Sequence, residues 1–126
     1  MKNSPFLRAY VECALWSTND EDDNPLDAVF SIDDIDPKTL HGMRDDCADF
    51  IWANRADLRK YCESMHSGQW PGMTRAGHDF WLTRNGHGAG FWDRGLGALG
   101  NRLSNSAQVY GDVYLWADMM GVVRSC

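Results

Sequence analysis

The sequence predicts an α+β domain: a small antiparallel sheet, built from a central hairpin over residues 77–93 and strands near the C-terminus, packed against two or three helices. Three observations predict it. Apolar residues recur at helical spacing over residues 5–17 and 40–62. Asn85-Gly86 lies between two aromatic runs, and this dipeptide is the strongest short hairpin signal, because a type I′ turn needs positive φ at both central residues. Near the end, Val113 and Leu115 alternate with Tyr114 and Trp116, the period of a strand. With 126 residues and no internal repeat or linker, the chain reads as a single domain over 1–126.

The first helix is expected over 5–17. Pro5 is acceptable in a first turn, and Phe6, Leu7, Tyr10, Val11, Ala14 and Leu15 form a broad apolar face. Thr18–Pro25 follows as a polar loop with four consecutive acids, Asp20 to Asp23. It lacks the glycine and closing glutamate of a calcium-binding EF-hand loop, so no metal site is expected there. Val29, Phe30, Ile32 and Ile35 then return the chain to the core, accompanied by Asp33 and Asp34.

Asp36-Pro37 marks the next helix start, with Asp as N-cap and Pro at the first helical position. The apolar stripe from Leu40 to Cys62 predicts one long helix to about Met65, with a charged outer side. Trp52 falls between stripe and charges. Ser67–Arg75 reads as a loop, with Trp70 before Pro71 covering apolar surface.

In the hairpin, a two-residue loop places Phe80 opposite Phe91, Leu82 opposite Ala89, Arg84 opposite His87 and His78 opposite Asp93. That face is expected to point to the core. The other face carries Asp79, Trp81 and Thr83 opposite Trp92, Gly90 and Gly88. It is a candidate binding surface, or a place where the glycines let Trp81 and Trp92 pack flat. A three-residue loop ending in a glycine bulge shifts the register and exchanges one strand's faces. Arg94–Tyr110 then reads as a helix whose glycines delay its start to about Leu99, with Gly111 as its C-terminal cap. Gly95–Gly100 matches GxGxxG only in form, since no parallel βαβ unit surrounds it. Strands over Asp112–Trp116 and Val122–Arg124 complete the sheet.

Charge is uneven along the chain. Residues 1–65 carry a net −7 and residues 66–126 a net +1, within a formal total of −6. An acidic chain lacks the basic patch that binds nucleic acid directly and suits a basic partner surface better. No apolar run approaches a membrane span, and the N-terminus has no secretory h-region, so an intracellular site of action is expected. Cys13, Cys47, Cys62 and Cys126 form no CxxC pair and are expected as free thiols rather than zinc ligands.

Among the polar residues that could carry chemistry, His78, Asp79, Arg84, Asn85, His87, Asp93 and Arg94 merit weighing. The two-residue register sets His78–Asp93 about 17 Å from Arg84–His87, too far for one active site. No catalytic residue, metal or cofactor is therefore expected. His41 and His66 stand alone.

The run AGHDFWLTRNGHGAGFWDRGLG (Ala76–Gly97) resembles the signature of small conserved tailed-bacteriophage proteins of unassigned function, and FLRAYVECALWS, PLD, SIDDI and YGDVYLW are similar to the same family. The resemblance covers most of the chain. Members similar to it often carry an acidic Asp-Gly turn near the end, where this chain has Met119-Met120-Gly121. It implies a phage or prophage accessory protein acting in the host bacterial cytoplasm. The first expectation is a protein that binds and inhibits or redirects a host protein, such as a nucleic-acid-binding defence component in an anti-CRISPR or other anti-defence role. Asp20, Asp22, Asp23, Asp33 and Asp34 are its candidate phosphate-mimicking acids, and Asp79, Trp81, Thr83 and Trp92 its candidate aromatic face. The alternatives are a small enzyme using the hairpin polar residues and a virion or oligomeric structural protein, a homodimer included.

Overall fold

A computed structural model describes residues 3–65 and 71–125; His66, Trp70 and Cys126 lie outside them. Five helices and one two-stranded antiparallel sheet make up an α+β fold: α1 (Pro5–Ser17), α2 (Pro37–Ala53), α3 (Arg55–Ser64), α4 (Gly72–Arg84), α5 (Ala98–Gln108), β1 (Leu115–Ala117) and β2 (Val123–Ser125). Three single 3-10 turns, Leu26–Ala28, Ile32–Asp34 and Phe91–Asp93, join them. Among the described residues no helix is long and apolar enough to cross a membrane.

The main correction concerns the centre of the chain. The expected hairpin over 77–93 is absent, and its first strand is the helix α4. Two physical reasons explain this. Ala76, Gly77 and every residue from Asp79 to Arg84 are buried, so α4 has almost no solvent face. A helix buried all round has no amphipathic period to compete with the chance alternation of Phe80 and Leu82 with Trp81 and Thr83. Asn85-Gly86 does reverse the chain, but as a helix terminus. The Gly86 N–H donates to Thr83 O (3.2 Å) and the His87 N–H to Leu82 O (3.0 Å), with Gly86 at φ 69°. This is the Schellman arrangement, which needs positive φ only at the glycine. Asn85 keeps φ −95°.

Beyond the turn the chain doubles back, so Phe80 and Phe91 both point inward, as expected on other grounds. Phe50 stacks on Phe80 at 4.1 Å between ring centroids and on Phe91 at 5.8 Å. Phe6 and Tyr10 of α1 close the cluster around Phe80. Helix α1 begins at Ser4, whose hydroxyl accepts the Leu7 N–H, and lies directly against α4. Gly77 makes that approach feasible: a Cβ there would sit 2.1 Å from the Phe6 carbonyl oxygen.

The long helix expected from Asp36 starts as predicted, with the Asp36 carboxylate accepting the Thr39 N–H. It is divided at Asn54 into α2 and α3. The Asn54 side-chain amide donates to Phe50 O (2.9 Å) and to Ser106 Oγ of α5 (2.7 Å), a local competition that ends one helix and fastens the break to its neighbour. Helix α5 starts at Ala98, after Gly95 and Gly97 at positive φ, and an Arg102–Asp57 pair with two 3.0 Å bonds ties it to α3.

Strands β1 and β2 pair in the register Leu115–Ser125, Trp116–Arg124, Ala117–Val123. Asp118 organises their turn by accepting the N–H groups of Met120 and Val122, and Arg124 holds its other oxygen. Leu115 is buried while Tyr114 and Trp116 face out, the alternation the sequence predicts.

Candidate protein-interaction site

The polar residues of the central motif were the first candidates for chemistry. Helix α4 and the turn after it gather several of them, but into the interior. Asp79 is fully buried. Arg94 meets its carboxylate twice, through Nη2–Oδ1 at 2.6 Å and Nε–Oδ2 at 3.1 Å, and the Tyr61 hydroxyl donates to Oδ2 at 2.6 Å. Burial, with the Asp79 charge beside it, pushes the Tyr61 phenol far above its ordinary range. Asp93 stands at the edge of this group, 4.0 Å from Arg94, and accepts the Gly90 N–H. A hairpin register does not pair Asp79 with Arg94; a helix followed by a reversal is what joins them.

A second network centres on Arg84. Its guanidinium donates to the carbonyls of Gly111 and Tyr110, to the Tyr10 hydroxyl and to the Asp46 carboxylate, all within 2.8–2.9 Å. Burial, more than any charge, raises the Tyr10 phenol above its usual range. Asn85 accepts the Val113 N–H at 2.8 Å. Arg84 and Asn85 thus fix the segment that leads into β1. Their donors and acceptors are spent on this, and a reactant has no approach to Arg84, which is 5% exposed.

His78 is half-buried beside Trp16, and burial lowers its pKa below 6.5. It shares a groove of about 580 Å³ with Cys13. Burial and the Asp79 charge push the Cys13 thiol up to about 12, so it stays protonated at neutral pH and is a poor nucleophile. His87 lies exposed after the helix cap.

The proposed aromatic face requires correction. Asp79, Trp81 and Thr83 are at most 2% exposed, because they sit on the buried helix α4 rather than on an outer strand face. Trp81 donates its indole N–H to Ser17 Oγ, and Thr83 Oγ1 accepts the Phe91 N–H. Trp92, in the 3-10 turn Phe91–Asp93, is half exposed. No surface containing these four residues exists.

The acidic residues are better placed. Asp20 organises its own loop, with Oδ1 accepting the N–H groups of Asp22 and Asn24, while Asp23 adopts φ 65° and accepts from Asn19. Asp22 and Asp23 are exposed. Asp33 is exposed as well, and Asp34 caps the turn at Ser31.

Opposite the 19–22 loop stands a set of residues that the sequence reading assigned only to a strand. Tyr114, Trp116 and Met119 line a groove of about 480 Å³ together with Asp20, Glu21 and Asp22; Leu26 and Phe30 are also part of its lining. Tyr114 is 63% exposed and Met119 fully exposed, as is most of Met120. No lysine or arginine lines this groove. Exposed aromatic and methionine side chains beside a polar, charged rim are the composition of a protein-interaction surface. The alternation of Tyr114 and Trp116 about Leu115 was the available signal; their position beside an acidic loop nearly a hundred residues earlier was not readable from spacing. No protein-family model, curated protein or solved structure matches this chain.

Proposed function

We propose that this chain is a phage-type accessory protein that binds a host protein in the bacterial cytoplasm and inhibits or redirects it, an anti-defence factor such as an anti-CRISPR being the expected class. The observation that carries this reading is the groove that Tyr114, Trp116 and Met119 line together with Asp20, Glu21 and Asp22. Aromatic and methionine side chains supply contact area, and the acids select a basic surface and speed encounter with it. A nucleic-acid-binding defence protein offers such a surface. The phage context rests on the resemblance of the Ala76–Gly97 run and its companion segments.

The enzyme alternative is weakened by the fate of its residues, since Asp79, Arg84 and Arg94 are all committed to ion pairs. The test is affinity capture from lysates of candidate hosts with wild-type protein, Trp116→Ala and the Asp20→Asn/Asp22→Asn pair. A stoichiometric partner should bind the wild type, diminish with either variant, and release as salt is raised and the charge attraction is screened. Capture indifferent to both variants, or no stoichiometric partner, would count against the reading.

A further inference from the structure

The groove of about 580 Å³ beside His78 shares no lining residue with the Tyr114–Trp116 groove. Helix periodicity assembles most of it. Ala9, Glu12, Cys13 and Trp16 stand at i, i+3, i+4 and i+7, one stripe along α1. Thr74 and His78 are four apart on α4, which packs against α1, and Asp27 comes from the turn Leu26–Ala28. Ala9 and Cys13 are buried, so the surface open to a ligand comes from the others: Glu12, Trp16 and Asp27 are exposed, and Thr74 and His78 partly so. The Trp16 ring stands 6.2 Å from the His78 ring and still keeps 56% of its residue surface in water. Glu12 and Asp27 bring two carboxylates, and no lysine or arginine lines the groove. Arg75 and Arg94 act on His78 through their charge, but neither is part of the lining. Burial is the largest cause lowering the His78 pKa, so its ring is neutral at pH 7 and adds no repulsion of a cation.

We propose that this groove binds a small aliphatic amine as its ammonium ion, with the charge at Glu12 and Asp27 and the carbon stem against the Trp16 ring. This is independent of the reading of the Tyr114–Trp116 groove. The volume is that of a small-molecule site. A carboxylate only accepts hydrogen bonds and an ammonium only donates them, so the two are matched, and the Thr74 hydroxyl is a further acceptor. An indole face attracts a cation and also covers the methylene groups attached to it. Other ligand classes use less of the lining. A carboxylic acid would meet like charge, and a neutral alcohol would leave both carboxylates without a counter-charge. Among the described residues no group of three or more His, Cys, Asp and Glu side chains is placed to hold a metal ion. An organic cation with an apolar stem uses the acids and the ring together.

The probe is butylammonium chloride, titrated into the ¹⁵N-labelled full chain at neutral pH and constant ionic strength, with butan-1-ol, butanoate and N-acetyl-lysine N-methylamide as comparisons. Butylammonium should move the Trp16 indole signal and the Thr74 and His78 amide signals along one saturating curve. Butan-1-ol and butanoate should bind about fivefold or more weakly, having lost the charge attraction. Glu12→Gln and Asp27→Asn should each weaken butylammonium binding by about twofold to fivefold, the range of an exposed charge pair, and Trp16→Ala by a similar factor. Both carboxylates are exposed, so these two variants should keep the fold, as the remaining amide signals would report. The Asp20→Asn/Asp22→Asn pair, in the other groove, should leave binding unchanged. Equal binding of butan-1-ol, or a loss in the Asp20→Asn/Asp22→Asn pair as large as in Glu12→Gln, would overturn the proposal. Tighter binding of the blocked lysine than of butylammonium would overturn a free amine as the ligand and assign the groove to a lysine side chain of a protein. Absence of saturable shifts at Trp16, Thr74 and His78 would overturn the site outright.

Discussion

Replacing Arg94 with methionine puts the buried ion pair of α4 to a quantitative test. Asp79 has no contact with solvent, and its carboxylate relies on two bonds from Arg94 and one from Tyr61. Removing one partner of a buried pair costs about 3–5 kcal/mol, because the remaining charge is left without compensation. Two features reduce the loss here. The Arg94 side chain keeps 21% of its surface in water, so part of its charge is already solvated. Tyr61 continues to donate its hydroxyl. The expected cost of Arg94→Met is then about 2–3 kcal/mol. Asp79→Asn should cost less, since the stranded guanidinium of Arg94 keeps some contact with water whereas Asp79 has none.

The assay is urea unfolding followed by tryptophan fluorescence, with the two single variants and the double variant Asp79→Asn/Arg94→Met. The double variant should be more stable than the sum of the singles predicts, by more than about 1 kcal/mol, as for groups in direct contact. Arg94→Met changing stability by less than about 0.5 kcal/mol, or strictly additive singles, would refute the assignment of this pair as the clamp between α4 and the returning chain.

Two glycine substitutions should act in opposite directions. Gly77→Ala drives a Cβ into the Phe6 carbonyl and should destabilise by about 3 kcal/mol or more, whereas Gly42→Ala, with no atom within 4 Å of the new Cβ, should stabilise by about 0.5–1 kcal/mol; thermal unfolding distinguishes them. His78 gives a pH dependence. Its folded-state pKa lies below 6.5, chiefly through burial, so the unfolded chain takes up the proton first as pH falls. The stability that His78 contributes is complete above the unfolded value and is lost as pH drops below it, so His78→Gln should show a shallower loss of stability between about pH 7 and 5 than the wild type in urea titrations. Asn85→Ala leaves the Val113 N–H without its acceptor and should speed hydrogen exchange at Val113 while costing about 1 kcal/mol.

Elements specified locally were legible in the sequence. Pro5 and Asp36-Pro37 announce their helices because first-turn chemistry involves only neighbours in the chain; the Asp36 cap forms as expected, and Ser4 supplies the cap of α1. The alternation from Val113 to Trp116 gives the strand for the same reason. Helix α4 was illegible because the signals that separate helix from strand come from contact with water, and α4 has little. Two of its three charged residues, Asp79 and Arg84, are buried among partners on α1, α2, α3 and the loops, and Arg75 alone is too little to mark a solvent face. Asn-Gly was read correctly as a reversal and wrongly as a hairpin, since one positive φ serves a helix cap as well as half of a type I′ turn. The division at Asn54 depends on Ser106, far away in the chain. The acids of the groove were visible, and so were its aromatics; only the fold brings them into one groove.

The separation of the sequence's most distinctive run from the accessible surface has a consequence for how the groove works. Arg84 and Asn85, at the end of α4, hold Tyr110, Gly111 and Val113, the residues that deliver the chain to β1. Asp36 and Thr39, at the start of α2, hold β2 from its other side. The short sheet is therefore fixed at its entry and along the outer edge of β2 by interior groups. Three-residue strands gain little stability from one another, so Tyr114 and Trp116 keep their exposed places through these ties rather than through the ladder itself. The motif that reads from sequence as a surface acts from inside, by holding the segment that carries Tyr114 and Trp116.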